Sequence, residues 1–232
     1  MNNTQTYSQL RPVIDLDARS RGTFVSRTYS HLFGAITAFT LIEIFLFKTG
    51  FAEKIASVLL GGSWLLVLGG FVVVSWLASR TAHTATSKAA QYAALAGFVV
   101  AEAIIFVPLL YIADKMAPGA ITSAATVTFF AFTALTLVAF MTRKDFSFLR
   151  GILCWGGIVA LVLIAGGAIF GFNPGTYFSV AMVALAGASI LYDTSNVLHH
   201  YPEDRYVAAA LELFASVALM LWYVLRLFMD RR

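Results

Sequence analysis

The chain alternates between long runs of consecutive apolar residues and short polar joints. The runs cover residues 27–48, 54–79, 89–112, 120–141, 149–171, 175–197 and 206–229. Each is long enough to cross about 30 Å of hydrocarbon as an α-helix. A membrane β-strand would show about ten residues of alternating polarity, whereas residues 65–77 are apolar but for Ser75, with no such alternation. The joints carry helix-breaking residues, as at Lys48-Thr49-Gly50, Ala117-Pro118-Gly119, Phe172-Asn173-Pro174-Gly175 and Tyr201-Pro202. The pattern predicts an all-α integral membrane protein, a seven-transmembrane-helix bundle whose neighbours pack as antiparallel hairpins. A polar tail, residues 1–26, precedes a single transmembrane domain, residues 27–232.

Composition sharpens this reading. The chain is 59% hydrophobic and 12% charged, with a mean hydropathy of +0.81, where a soluble domain carries about 25% charged residues. A water-soluble globule is excluded. Residues 1–26 contain Arg11, Arg19 and Arg21 and no apolar run, so they read as a retained cytoplasmic tail and not as a cleaved signal. The lone Cys154 permits no intrachain disulfide and reads as a small packing residue.

The net charge of +4 does not form a patch suited to nucleic acid, because the basic residues sit at the ends of the runs. The partner they imply is the lipid bilayer. Arg11, Arg19, Arg21, Arg27, Arg80, Lys88, Arg143, Lys144, Arg150 and Arg205 fall on one side, ten of the sixteen Lys and Arg. Lys48, Lys54, Lys115, Arg226, Arg231 and Arg232 fall on the other. The positive-inside rule then predicts a cytoplasmic N-terminus and a C-terminus on the opposite side. The glycine pairs 61–62, 69–70, 156–157 and 166–167 read as close-packing sites between helices, and Pro108 is expected to kink the third span.

Chemistry is confined to a few ionisable residues at membrane depth: Glu43, Glu102, Asp193 and Glu212, with His31 and Arg226 nearer helix ends. A carboxylate in hydrocarbon must be protonated, paired or wetted, and such residues often mark ion or proton paths. Asp193 lies nine residues before Pro202 and Glu212 ten after it, which puts both at one depth on adjacent helices. Such a pair would share a proton and respond to pH near neutrality. Ser216, four residues after Glu212, shares its helix face. With Thr194, Ser195 and Asn196 these oxygens suit a transient calcium site, with Asp193 and Glu212 as metal ligands. Arg80 lies toward the same membrane face and can either pair with an acid or reach the lipid headgroups. His31 reads as an interfacial anchor, and His199 and His200 as solvated loop residues without a third metal ligand.

Two segments resemble a known family. Ile190-Leu191-Tyr192-Asp193-Thr194, with the final helix Ala210-Leu211-Glu212-Leu213-Phe214, is similar to the signature of the Bax inhibitor-1 (lifeguard, or transmembrane Bax inhibitor motif) family. Arg143-Lys144-Asp145-Phe146-Ser147-Phe148-Leu149 resembles that family's Lys-Lys-Asp-Leu-Ser-Phe-Leu loop. The resemblance covers the chain from about residue 20. It implies a seven-helix bundle with the last helix central, in the bacterial inner membrane or in eukaryotic internal membranes, of which the bacterial inner membrane is expected here, and a pH-sensitive calcium leak in members studied as transporters. It implies no cofactor, with calcium as the transported ion. The family's two-aspartate sensor falls on Asp193 and, by the match in the last helix, on Ser216 in place of the second aspartate, so Glu212 is the available substitute. The family's latching arginine in the second helix corresponds here to Arg80, displaced by about two residues.

Two functions from different classes follow. One is a pH-sensitive passive calcium or cation leak gated by Asp193 and Glu212. The other is a membrane interaction protein that regulates an inner-membrane protease or a stress response without transport. Enzymatic readings find no anchor. The last span lacks a lysine for a retinal Schiff base, Ala210-Leu211-Glu212-Leu213 stands where an intramembrane aspartyl protease needs Gly-Xaa-Gly-Asp, and neither His-Glu-Xaa-Xaa-His nor Gly-Xaa-Ser-Xaa-Gly occurs.

Overall fold

A computed structural model describes residues 11–172 and 175–230. The first ten residues of the tail, the Asn173-Pro174 step and the Arg231-Arg232 terminus lie outside the described residues. The described chain is helical: α1 (Ala18–Lys48), α2 (Phe51–Gly61), α3 (Trp64–Thr84), α4 (Lys88–Met116), α5 (Ala120–Thr142), α6 (Leu149–Phe170), α7 (Gly175–His199) and α8 (Tyr206–Asp230). Seven of these, all but α2, are long and apolar enough to cross a membrane.

Two boundaries differ from the hydropathy pattern. Helix α1 begins at Ala18, inside the polar tail, because the Asp17 carboxylate caps it by accepting from the amides of Arg19 at 3.0 Å and Ser20 at 3.2 Å. Phe24 is already buried there. The single run 54–79 is two helices. The chain extends at Gly62 (φ −95°, ψ −177°) after α2 and restarts at Trp64. Hydropathy cannot see this break, since α2 is itself apolar; its Ala52 and Ala56 pack on Val107 of α4.

The glycine pairs are also not uniformly packing sites. A Cβ at Gly61, Gly69, Gly70 or Gly157 would meet nothing within 4 Å, whereas one at Gly156 would lie 2.7 Å from Leu185 Cδ1 and one at Gly166 3.4 Å from the Phe172 ring. Cys154 faces outward from α6 instead of packing. Helix α4 passes through the buried Pro108 as one element.

Helix α8 is the axis of the bundle, bordered by α1, α3, α4, α5 and α7. In its most apolar window 67% of residues are buried, against 6% for α6, which stands at the periphery. Apolar faces in lipid gain nothing from hydrophobic burial, so this axis is built by close packing, through Ala208, Ala209 and Ala210, and by aromatic contacts such as Phe214 with Phe39 and Phe98.

The loops on the N-terminal face are tied together. Val13 N–H donates to the Tyr201 carbonyl at 2.9 Å, beside an antiparallel bridge between Pro12 and Pro202. Arg205 Nη1 donates to the Ala85 carbonyl at 2.5 Å, and Lys88 Nζ donates to the carbonyl of Asp204. The α7–α8 loop is thereby fastened to both the N-terminal segment and the α3–α4 joint.

Candidate functional site

Helix α7 carries the Tyr192-Asp193-Thr194-Ser195 run just before its last turn and α8 carries Glu212 in its second turn; the short loop between them brings both acids near the N-terminal face. Their partners differ. Ser216 Oγ donates to Asp193 Oδ2 at 2.5 Å. Ser79 Oγ of α3 donates to Glu212 Oε1 at 2.5 Å, and His83 Nδ1 lies 3.7 Å from the same oxygen. Each carboxyl is thus held by a hydroxyl from another helix, and no hydrogen bond joins the two acids among the described residues. In place of a direct bond between the acids there are two separate clasps, α7 to α8 and α8 to α3, with the acids still close enough to interact by charge.

This resolves the roles of the other candidates. Ser216 is the partner of Asp193, in the position where the family pattern has an aspartate. Glu212 does not substitute for that aspartate at Asp193 but turns toward α3. Arg80 is exposed, with its guanidinium 5.2 Å from the centre of the Trp76 ring, and makes no ion pair with either acid. Ser79 and His83 occupy the place expected of Arg80. The sequence carries a faint sign of them: they are four residues apart, so they share one face of α3, and Arg80 is not on it.

Glu43 and Glu102 stand apart. Both are buried, at 7% and 6% exposure. Neither Glu43 oxygen has a hydrogen-bond partner, and Glu102 lines a separate apolar cavity. His31 lies between Tyr92 and Tyr206, with Nε2 3.2 Å from the Tyr92 hydroxyl. Among the described residues no three of His, Cys, Asp and Glu gather as a metal-ligand cluster. Asp193 and Glu212 alone would supply too few ligands for a tight calcium cage.

Directly outside the two clasps is a pocket of about 390 Å³ lined by His83, Ser147, Arg150, Tyr192, Asn196 and Tyr201, among others. Its walls join the two segments that carry the family resemblance. Ser195 Oγ accepts from Phe146 N–H at 2.9 Å and donates to the Lys144 carbonyl at 3.4 Å. Asp145 accepts from the Ser147 hydroxyl and amide, at 2.5 and 2.8 Å, and contacts His200 Nε2 at 3.0 Å. The Ser147 bonds, with His200 adding to them, hold the Asp145 carboxyl below its ordinary range. Burial, reinforced by the negative charges of Glu212 and Asp193, pushes the Tyr201 phenol well above its usual value, so it keeps its proton 3.4 Å from His83 Nε2. The loop between α5 and α6 is therefore docked on the end of α7, over the acids.

The chain is similar to several known bacterial proteins. An uncharacterized protein of Pseudomonas aeruginosa is 29% identical over 166 residues, 70% of this chain and 72% of that protein. The Modulator of FtsH protease YccA of Escherichia coli K12 is 29% identical over 157 residues, 66% of this chain and 68% of YccA. A second E. coli strain has the same match under the name Inner membrane protein YccA. The family model described as Inhibitor of apoptosis-promoting Bax1 matches residues 21–232. Over nearly its whole length, then, this chain belongs to the Bax inhibitor-1 family.

Proposed function

We propose that this chain is an inner-membrane protein that modulates a membrane-bound protease of the FtsH kind, through the loop assembly on its N-terminal face. The observation that carries the reading is the similarity to a relative named Modulator of FtsH protease, which extends over two thirds of both chains. The assembly suits such a role because it offers a partner one ordered surface. Residues 11–16, the α5–α6 loop and the α7–α8 loop meet there through Val13, Phe146, Ser195 and Tyr201. Ten of the described Lys and Arg lie at this face and only Lys48, Lys54, Lys115 and Arg226 at the other, which supports a cytoplasmic N-terminus and a C-terminus across the membrane. The test is the half-life of a membrane substrate of FtsH in E. coli lacking YccA. Expression of this chain is expected to lengthen it, and an unchanged half-life at normal membrane levels of the chain would overturn the proposal.

A second reading is favoured by the acids. Asp193 and Glu212 clasp three helices beneath a polar pocket, which is where a passive calcium or cation leak would be gated: breaking either clasp frees α8 relative to α7 or α3. Protonation of the carboxyls is the natural trigger, which makes this leak pH-sensitive. Calcium influx into dye-loaded liposomes across pH 5 to 8, for the unmodified protein, Asp193→Asn and Glu212→Gln, tests it. A leak altered by both substitutions supports the reading. No leak above empty liposomes removes it.

A further inference from the structure

A cavity of about 640 Å³ lies on the other half of the bundle, between α3, α4, α6, α7 and α8. Its volume falls in the range of small-molecule sites, roughly 300 to 1,000 Å³. Helix α6 packs chiefly on α7 and touches α3 only sparsely, so the cavity is a cleft whose sixth side is the gap between α3 and α6. Its walls are aromatic. Trp64 stacks on Trp222 with ring centres 6.3 Å apart, Phe106 meets Trp222 edge to face at 5.0 Å, and Phe71 lies alongside.

One polar group interrupts this surface. Glu102 is 6% exposed and makes no hydrogen bond or ion pair among the described residues, yet it lines the cleft. The other charged lining residues, Arg226 and Asp230, cancel one another. They also stand well away from Glu102. Phe106, one turn after Glu102, touches Trp222, which sets Glu102 level with Ala218; Arg226 is eight residues further along α8, roughly 12 Å at 1.5 Å per residue. With those two offset, Glu102 is the one group of the lining that leaves a net negative charge there when it is ionised. A buried carboxyl with no partner is costly in an apolar site, and an aromatic wall attracts cations through the faces of its rings.

We propose that this cleft binds a hydrophobic organic cation, of the quaternary ammonium or phosphonium class, with Glu102 as its counter-ion and the Trp64, Phe106 and Trp222 rings around its apolar groups. A second transmembrane helix is too wide for this volume, since a helix with side chains is about 10 Å across. Neutral lipid tails fit the walls but leave Glu102 unpaired. The cleft does not depend on the clasps at Asp193 and Glu212, so the proposal stands apart from either functional reading.

Tetraphenylphosphonium is the probe, and triphenylphosphine oxide its neutral counterpart. Binding to the purified full chain in detergent is read by quenching of tryptophan emission in Trp76→Phe/Trp155→Phe protein, which keeps only Trp64 and Trp222, and by equilibrium dialysis. Saturable quenching by the cation is expected, with Glu102→Gln weakening it at least about tenfold and the phosphine oxide binding no better than to Glu102→Gln. Gly157→Leu provides a variant that leaves Glu102 intact. Gly157 lines the cleft, and a Cβ there meets nothing within 4 Å, so the leucine occupies ligand space and binding should fall comparably. Equal binding of cation and phosphine oxide, or binding unchanged in both variants, would overturn the proposal.

Discussion

Removing the hydroxyl that holds Asp193 isolates the strength of the α7–α8 clasp. In Ser216→Ala the 2.5 Å bond to Asp193 Oδ2 is lost, and it is the only side-chain hydrogen bond to that carboxylate among the described residues. In a soluble protein a hydrogen bond to a charged group contributes about 1.5 to 3 kcal/mol. In membranes the unfolded helices also find polar partners, and coupling energies average about 0.6 with a maximum near 1.7 kcal/mol. The membrane figure governs here because both residues stay in the bilayer when the helices separate. Ser216→Ala is therefore expected to cost about 1 kcal/mol, a fall in Tm of roughly 2 to 4 °C for a chain of this size. The decisive assay is a double-mutant cycle of Asp193→Ala with Ser216→Ala, read by unfolding in mixed micelles, since an asparagine would keep a carbonyl oxygen that accepts the same bond. A coupling of about 0.6 to 1.7 kcal/mol is expected for this pair and for Glu212→Ala with Ser79→Ala. The crossed pair, Asp193→Ala with Ser79→Ala, should be additive within about 0.5 kcal/mol. Additivity in all three cycles would refute the two-clasp description.

Further outcomes follow from single positions. Gly156→Ala forces Leu185 Cδ1 to move from 2.7 Å and should lower stability by up to about 1 kcal/mol, whereas Gly157→Ala meets open space and should raise it by about 0.5 to 1 kcal/mol through helix propensity; thermal unfolding of the two variants separates them. Arg80→Gln should change stability by less than about 0.5 kcal/mol, since Arg80 rests on Trp76 at the surface, while His83→Ala should alter the accessibility of the α3–α8 contact to a thiol reagent at an introduced Ser79→Cys. Because Asp145 is held below its ordinary 3.8, its contribution to loop docking is complete above that value and is lost as pH falls through its lowered value. Protease cleavage of the α5–α6 loop should then be faster in Asp145→Asn than in the unmodified chain from pH 8 down to 5, with the difference closing below about pH 4. A difference that grew toward acid would contradict this sign.

The spans were legible because hydrocarbon demands long apolar helices, and that demand is written at consecutive positions. Its blind spot is an apolar helix that does not cross. Residues 51–61 satisfy the same hydropathy as a span, so only the extended backbone at Gly62 reveals the break before Trp64. Asp193 and Glu212 could be put at one depth by counting residues on either side of Pro202, because a short loop fixes the relative depth of its two helices. Counting says nothing about rotation around a helix axis. That is why Glu212 could be expected to face Asp193 and instead faces Ser79 and His83 on a helix far away in sequence. The same limit explains Arg80: its depth was right, but its face of α3 points outward. The docking of Phe146 on Ser195 joins the two recognisable motifs in space and has no counterpart in local pattern.

The most direct test of the account is the ATP-dependent degradation rate of a membrane substrate by purified FtsH co-reconstituted with this chain in liposomes. The unmodified chain is expected to slow degradation in a saturable way. The double variant Ser195→Ala/His200→Ala, which loses the bond to Phe146 N–H and the contacts to Asp145 and Ser147 while leaving the helices inserted, is expected to lose most of that effect. Equal slowing by both forms would detach the function from the loop assembly, and no slowing by either would contradict the central claim.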